Sequence, residues 1–209
     1  MLVRGLIVKK GSWMLKYSLL MSCFVLTLAQ ANIGKTKGFT NYKNYYFVET
    51  GTFGGAAIMR ALRDGFIEAY SIEMNSHLFA DCRNRFARSK NVHIYNGNSA
   101  EILWDVIRPL NKPITFWLDA HRGPGEYLND GKNSPIMFEL EQIKKHPIKT
   151  HTILIDDVSG CGGISFDYHT LDQLKSKIRE INPKYTFQQI VGGENDEAID
   201  NILVAQVLG

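Results

Sequence analysis

The sequence predicts a single α/β domain of the Rossmann-like, doubly wound type, built on a seven-stranded sheet. Short runs rich in Val, Ile, Leu, Phe and Tyr alternate with segments of helical spacing. Because these runs lack a strict alternation of apolar and polar residues, they are typical of parallel strands buried on both faces. Strands that alternate with helices imply right-handed βαβ units. The last two runs are joined by a Gly-Gly turn region instead of a helix, which predicts a C-terminal antiparallel hairpin.

Four of the predicted strands run into acidic residues. They are YYFVE ending at Glu49, AYSIE ending at Glu73, ITFWLD ending at Asp119, and HTILIDD ending at Asp156 and Asp157. The predicted helices cover residues 55–64, 76–89, 99–108, 134–146 and 169–181, and several begin with Ser at a plausible N-cap. The closing hairpin is predicted in YTFQQIVGGENDEAIDNILVAQV. Ligands of open parallel sheets bind outside the carboxyl ends of the strands, so we expect one site lined with acid.

Residues 1–31 have the order of a secretory signal peptide or N-terminal leader. A basic, acid-free start precedes an apolar run over residues 19–29 and the small-x-small ending Ala29-Gln30-Ala31. The apolar run is shorter than the ~20 residues that span a bilayer as a helix. Cleavage would export the remaining domain, residues 32–209, to the periplasm or the medium. An uncleaved leader would leave a cytoplasmic protein, or one anchored to the membrane through the leader alone.

Charge and cysteine usage exclude some classes of function. The net charge of +3 comes from 24 basic and 21 acidic residues, and the leader holds four of the basic residues and no acidic one. The remaining domain is therefore close to neutral and has no basic stripe with interleaved aromatics, which argues against nucleic-acid binding. Cys82 and Cys161 lie far apart without metal-ligand spacing, so no zinc site is indicated. Nothing in the sequence specifies an oligomeric state.

The turn after the first strand, Glu49-Thr50-Gly51-Thr52-Phe53-Gly54-Gly55, indicates close approach of the backbone to a ligand. Glu73 ends the second strand 22 residues after Gly51. A carboxylate at that point can accept hydrogen bonds from both hydroxyls of a ribose. The turn and Glu73 together predict nucleoside binding, whereas Glu73 alone would be read as a solvated strand end.

With these motifs the chain resembles the class I S-adenosylmethionine (SAM)-dependent methyltransferases, in particular small-molecule O-methyltransferases. VETGTFGGAA is similar to their first motif, SIEMN to their ribose-binding strand end, NGNSAEIL to the segment beside the adenine, and FWLDAH to their fourth-strand motif. The resemblance covers residues ~41–209 and implies a small-molecule acceptor. It implies contacts to the methionine moiety from Glu49, Gly51, Thr52, Phe53 and Gly55, to the ribose from Glu73, and to the adenine from Asn98 and Ser99.

Asp119, Asp156 and Asp157 offer the oxygen ligands that Mg²⁺ prefers, and we predict a magnesium site there. The arrangement is similar to that of metal-dependent O-methyltransferases that act on catechols and antibiotic sugars, in which the ion binds the acceptor hydroxyl. The catechol enzymes have a Lys base three residues after the first of these acids, where this chain has Arg122. Arginine stays protonated, so His121 is the predicted base, acting beside Asp119. The alternative is that Asp156 caps a loop and Asp157 is only solvated.

Two other functions remain open. An NAD-dependent oxidoreductase shares the glycine turn and the acid, but Glu49 and the C-terminal hairpin suit the methyltransferase better. The second function is that of a secreted binding protein, which keeps the fold but has lost catalysis. It stays open because an exported protein would encounter little SAM. The loops 122–133 and 159–168 follow strand ends and are predicted to be lids, substrate walls or plain surface. The histidines other than His121 are predicted to be surface or packing residues.

Overall fold

The computed structural model describes residues 38–121, 132–190 and 202–208, and these form an α/β domain. The strands are β1 Tyr46–Thr50, β2 Glu68–Glu73, β3 Val92–Asn96, β4 Ile114–Leu118, β5 Thr152–Ile155, β6 Thr186–Ile190 and β7 Ile202–Gln206. The α-helices are α1 Ala56–Arg63, α2 Ser76–Arg85, α3 Ser99–Ile107, α4 Ile136–Lys145 and α5 Leu171–Ile181. Short 3-10 turns cover Thr40–Tyr42, Val158–Gly160 and Ile164–Phe166.

The seven strands form one sheet in the order β3-β2-β1-β4-β5-β7-β6. The neighbours from β3 to β5 are parallel, and β7 is antiparallel to both β5 and β6. This confirms the doubly wound sheet and its closing antiparallel pair, although the turn predicted between β6 and β7 lies outside the described residues. The order reverses between β1 and β4, where Thr50 pairs with Leu118. Such a switch point opens a crevice at the carboxyl ends of the strands.

Helices cover both faces of the sheet, as the apolar strand runs require. On one face, Val48, Phe116 and Ile153 pack with apolar side chains of α3, α4 and α5. On the other, Phe47 and Trp117 pack with α1 and with Cys82 of α2. Each of the five strand residues is at most 5% exposed. Removal of this much apolar surface from water is the main stabilising term of the fold.

The helix boundaries differ from the predicted ones by up to four residues, for local reasons. α5 begins at Leu171 instead of residue 169, because the Thr170 side chain accepts the Gln173 N–H and Gln173 caps Thr170 in return. α2 ends at Arg85 instead of residue 89, where the Ser89 N–H bonds to the Phe86 carbonyl in a turn. Such fraying at helix ends is normal.

Two histidines form a buried polar contact beside β4 and β5, which confirms their interpretation as packing residues. His146 and His151 are fully buried, and His151 Nε2 lies 3.0 Å from His146 Nδ1. The Ile114 N–H donates to His151 Nδ1 over 3.1 Å, so the His151 proton is on Nε2 and is donated to His146. His146 Nε2 then donates to the Leu110 carbonyl over 2.9 Å. Both rings are therefore neutral.

None of the helices within the described ranges is long and apolar enough to cross a membrane. The predicted leader, residues 1–31, lies outside those ranges, and so does Arg122. The predicted localisation stays a prediction.

Candidate functional site

A cavity of about 850 Å³ lies at the carboxyl ends of β1, β2 and β4, on the crevice side of the sheet. Five of the predicted cofactor residues line it: Gly51, Phe53, Glu73, Asn98 and Ser99. Its lining also includes Asp119 and His121, and the apolar side chains of Ile72, Met74, Leu78 and Phe138. An apolar cavity with a few convergent polar groups is the usual form of a small-molecule site.

The glycine turn after β1 brings the backbone close to Asp119. Gly51 has a φ of 81°, and a Cβ on it would lie 2.5 Å from the Asp119 carbonyl oxygen. Only glycine fits both constraints. Phe53 has a φ of 45° and a side chain that is 75% exposed, although it lines the cavity. Its carbonyl accepts the Cys82 thiol over 3.1 Å, which holds the turn on α2.

Glu73 joins the glycine turn to the end of β2. Its carboxylate accepts the Phe53 N–H over 2.9 Å and the Asn75 N–H over 2.8 Å, one on each oxygen. An ionised carboxylate has about four acceptor positions. Glu73 can therefore hold the turn and still accept hydrogen bonds from ligand hydroxyls in the cavity.

The other three predicted cofactor residues do not line this cavity. Glu49 is buried and accepts the Ser71 hydroxyl over 2.6 Å, and Ser71 contacts Thr52 over 2.6 Å. Burial raises the pKa of Glu49 well above its usual range. Gly55, with a φ of 76°, packs against Phe86 at the start of α1. Glu49, Thr52 and Gly55 therefore support the conformation of the turn without lining the cavity.

Asp119, His121 and Asp157 form a group at the open end of the crevice. One ligand atom from each lies within 4.8 Å of the others. The His121 ring stands between the two carboxylates, with Nε2 at 2.9 Å from Asp157 Oδ2 and Nδ1 at 3.5 Å from Asp119 Oδ1. Phe166 stacks on the ring at a centroid distance of 5.6 Å. The loop after β5 thus fixes the orientation of the imidazole.

Asp119 of this group and its neighbour Asp156 have pKa values above their usual range. Burial, and then the charge of Asp156, raises the pKa of Asp119 to about 7. Burial and the charge of Asp157 raise the pKa of Asp156 to about 6. Burial lowers the pKa of His121, but the hydrogen bond to Asp157 and the charge of Asp119 outweigh it, so the net shift is upward. Crowded carboxylates of this kind are stabilised by a cation.

The group fits a divalent cation, with one difference from the predicted ligand set. Asp119 and Asp157 belong to the converging group and His121 joins them, whereas Asp156 is outside it and accepts the Asp157 N–H over 2.9 Å. Carboxylate oxygens suit Mg²⁺ and Mn²⁺, and an imidazole nitrogen favours transition ions such as Zn²⁺. The predicted role of Asp156 as a ligand stays a prediction.

Sequence reasoning missed a pair of buried polar residues behind the cavity, Glu139 and Gln142 of α4. The Ser99 hydroxyl donates to Glu139 Oε1 over 2.6 Å. Burial raises the pKa of Glu139 to about 7. In the sequence, Glu139 has the position of a first-turn acid that complements the helix dipole. Its spacing with Ile136, Leu140 and Ile143, which puts it on the apolar face of α4, is the signal that could have found it. Asp167 was missed as well: it accepts the backbone N–H groups of Asn133 and Ser134 and ties the loop after β5 to the start of α4.

Comparison with known structures agrees with this fold. An O-methyltransferase from Bacillus cereus in complex with S-adenosylhomocysteine (SAH) superimposes with a TM-score of 0.54 at 17% identity, over 88% of this chain and 89% of the other. The O-methyltransferase TomG from Streptomyces achromogenes, involved in tomaymycin synthesis and in complex with SAM, gives a TM-score of 0.52 at 19% identity, over 82% of this chain and 76% of TomG. No protein-family model and no curated protein matches the sequence. The chain therefore has the Rossmann-like fold of the O-methyltransferases.

Proposed function

We propose that this chain is a SAM-dependent O-methyltransferase that acts on a small hydroxylated acceptor, with help from a divalent cation. The observation that carries the proposal is the cavity at the switch point, where the glycine turn, Glu73 and the Asp119–His121–Asp157 group converge. The similarity to structures of O-methyltransferases bound to SAM and SAH supports the same conclusion.

The cavity suits both ends of SAM. Glu73 would accept the ribose hydroxyls, while Met74, Leu78 and Phe138 offer apolar contacts to the adenine beside Asn98 and Ser99. The cofactor supplies an electrophilic methyl group on a positively charged sulfur. Asp119 and Asp156 at the other end of the cavity are buried close together and have raised pKa values, so a positive ligand is favoured there.

His121 is the proposed base, as its sequence position suggested. In the neutral ring Nε2 donates to Asp157 over 2.9 Å, which leaves the lone pair on Nδ1, 3.5 Å from Asp119, to take the proton of the acceptor hydroxyl. The two carboxylates then stabilise the imidazolium that forms. Asp119 and Phe166 hold the ring in place, so little reorganisation is needed during the reaction. The acceptor oxygen would then attack the methyl group in line.

The proposed cation is held by Asp119 and Asp157, with His121 or Asp156 as a further ligand. It would bind the acceptor oxygen and lower the pKa of its hydroxyl. If His121 is the base, the cation must be ligated by carboxylates, as predicted with Mg²⁺. If His121 is a ligand, a transition ion is favoured and the base must be another group.

Titration calorimetry of residues 32–209 separates the candidate functions. We expect SAH to bind and NAD not to bind; binding of NAD alone would favour the oxidoreductase. Mg²⁺, Mn²⁺ and Zn²⁺ are then titrated into wild type, Asp119→Asn and His121→Asn. A cation that binds wild type and His121→Asn but not Asp119→Asn supports a carboxylate site with His121 as base, and no binding of any cation contradicts metal assistance.

The non-catalytic binding protein is the second candidate, and the exported location predicted from the leader favours it. It would bind SAH or another nucleoside without methyl transfer to any hydroxylated acceptor. N-terminal sequencing of the protein from its native host tests the location: a mature end near Asn32 supports export, whereas an intact Met1 or Met14 supports a cytoplasmic or anchored enzyme.

A further inference from the structure

Two buried polar side chains of α4 form hydrogen bonds to the first turn of α3. Glu139 is 1% exposed and Gln142 is 5% exposed. Glu139 accepts the Ser99 hydroxyl, and Gln142 Nε2 donates to the Ser99 and Ala100 carbonyls over 3.0 Å and 2.7 Å. Gln142 Oε1 in turn accepts the Trp104 N–H over 2.6 Å. We call these two residues, Glu139 and Gln142 on one turn of α4, the polar clasp.

Burying the polar clasp lowers the free energy of unfolding, whereas an apolar contact at the same place would not. Glu139 lies entirely inside the protein, and its raised pKa reflects the cost of burying its charge there. Apolar residues of similar volume would join two helices at least as well. Because burial of Glu139 and Gln142 costs free energy, we infer that their contact with α3 has a purpose other than packing.

The turn that the clasp grips forms one wall of the cavity. Asn98, Ser99 and Ala100 line the cavity, and the Asn98 side chain caps α3 by accepting the Ala100 N–H over 3.0 Å. Because the Ser99 hydroxyl donates to Glu139, its proton is not available to a ligand. A helix leaves the first N–H groups of its backbone without intrahelical partners, and since Asn98 takes that of Ala100, the N–H that this turn can offer to a ligand is that of Ser99. The direction of this N–H depends on how the turn is held.

We propose that Glu139 and Gln142 are positioning residues that hold the turn from Asn98 to Ala100 in the orientation that binds the nucleoside end of the cofactor. The inference rests on the proposed function, because it assigns the base of SAM to this wall. Neither residue touches the cavity, so both act through Ser99 and Ala100.

The test uses SAH affinity and amide hydrogen exchange of residues 98–104 in folded variants. The variants are Glu139→Ala, Glu139→Gln, Gln142→Ala, Ser99→Ala and the Glu139→Ala/Ser99→Ala double variant. Glu141→Gln is the matched control, since Glu141 is on the same helix but is largely exposed and pairs with Lys177. Thermal unfolding of each variant checks that it is folded.

We expect Glu139→Ala to weaken SAH binding about tenfold and to speed exchange in residues 98–104, as the loss of a buried hydrogen bond would do. Glu139→Gln keeps an acceptor oxygen and should restore most of the affinity. In the Ser99→Ala background, Glu139→Ala should have little further effect. Glu141→Gln should bind as wild type does.

Wild-type SAH affinity in folded Glu139→Ala and Gln142→Ala would overturn the proposal, and so would equal weakening by Glu141→Gln. If Glu139→Ala does not fold, Glu139→Gln and Gln142→Ala decide it by the same measurements. Failure of wild type to bind SAH overturns the proposed function instead. In that case unchanged hydrogen exchange in the variants without ligand would overturn the positioning role as well.

Discussion

Acidification should remove the contribution that buried His151, paired with His146, makes to the unfolding free energy. His151 donates to His146 and accepts the Ile114 N–H, so neither ring has a free position for a second proton. Burial, and then the proximity of His146, which would repel a second charge, lowers the pKa of His151 to about 3 from its ordinary value of 6.5. The unfolded chain therefore binds a proton at His151 more tightly than the folded domain does. The folding contribution is complete above the unfolded pKa and is lost as the pH falls from there toward the folded pKa.

The size of the effect follows from the two pKa values. One unit of pKa difference corresponds to about 1.4 kcal/mol. Linkage with the values 6.5 and about 3 gives a loss of about 2.6 kcal/mol of unfolding free energy between about pH 7.5 and about pH 4.5. The buried carboxyls Asp119, Asp156 and Glu139 have raised pKa values and act in the opposite direction. The contribution of these carboxyls cancels when the unfolding free energy of a His151 variant is subtracted from that of wild type.

Urea unfolding of wild type and His151→Asn at the two pH values measures the effect. Asn can still accept the Ile114 N–H, and it does not titrate. The variant should be less stable than wild type at about pH 7.5, and this gap should narrow or reverse by about 2.6 kcal/mol at about pH 4.5. His77→Asn, at an exposed position of α2, is the matched control. A gap that stays constant with pH would refute the reasoning.

Three further predictions concern the site. Gly51→Ala should lower the unfolding free energy by about 2 kcal/mol or more in urea, because of its positive φ and the nearby Asp119 carbonyl; Gly54→Ala, in open space, should cost much less, and equal losses would contradict the strain. Glu73→Ala should weaken SAH binding in calorimetry by about 1.5–3 kcal/mol, and unchanged affinity in a folded variant would refute the ribose contact. Because the pKa of Glu139 is about 7 in the folded domain, above its ordinary value of 4.5, unfolding free energy is lost as the pH rises from 4.5 to about 7. Glu139→Gln should therefore gain about 3 kcal/mol relative to wild type between about pH 4 and about pH 8, and urea curves that keep a constant difference would exclude this titration.

Features with a local cause could be predicted from the sequence. The strands around Val48, Phe116 and Leu154 appear as apolar runs because they are buried on both faces. Gly51 and Glu73 could be recognised because a close backbone approach and a strand-end carboxylate each restrict the residue type. Their separation in the chain also matches the length of one βα unit. These patterns predict the fold, the location of the cavity and the polar part of its lining around Gly51, Glu73 and Asp119.

The rest depends on contacts between distant parts of the chain. Helical spacing places Glu139 on the apolar face of α4 with Ile136, Leu140 and Ile143, but it does not identify the partner, Ser99, which lies 40 residues away. Asp156 and Asp157 follow the same strand and both act on Asp119, but only Asp157, with a φ of 52°, belongs to the converging group. No sequence pattern predicts a positive φ at a non-glycine residue.

The position of Cys82 gives the glycine turn a chemical reporter. Its thiol is 2% exposed, lies under the turn and donates to the Phe53 carbonyl, so a reagent can reach the sulfur only when the turn lifts away from α2. Burial also raises the pKa of this thiol, which keeps the reactive thiolate scarce while the turn is closed. The labelling rate of Cys82, in a background with Cys161→Ser and without residues 1–31, would therefore measure how often the turn opens. A bound nucleoside that presses on Phe53 would slow that labelling, and occupancy could be followed in the absence of any known acceptor.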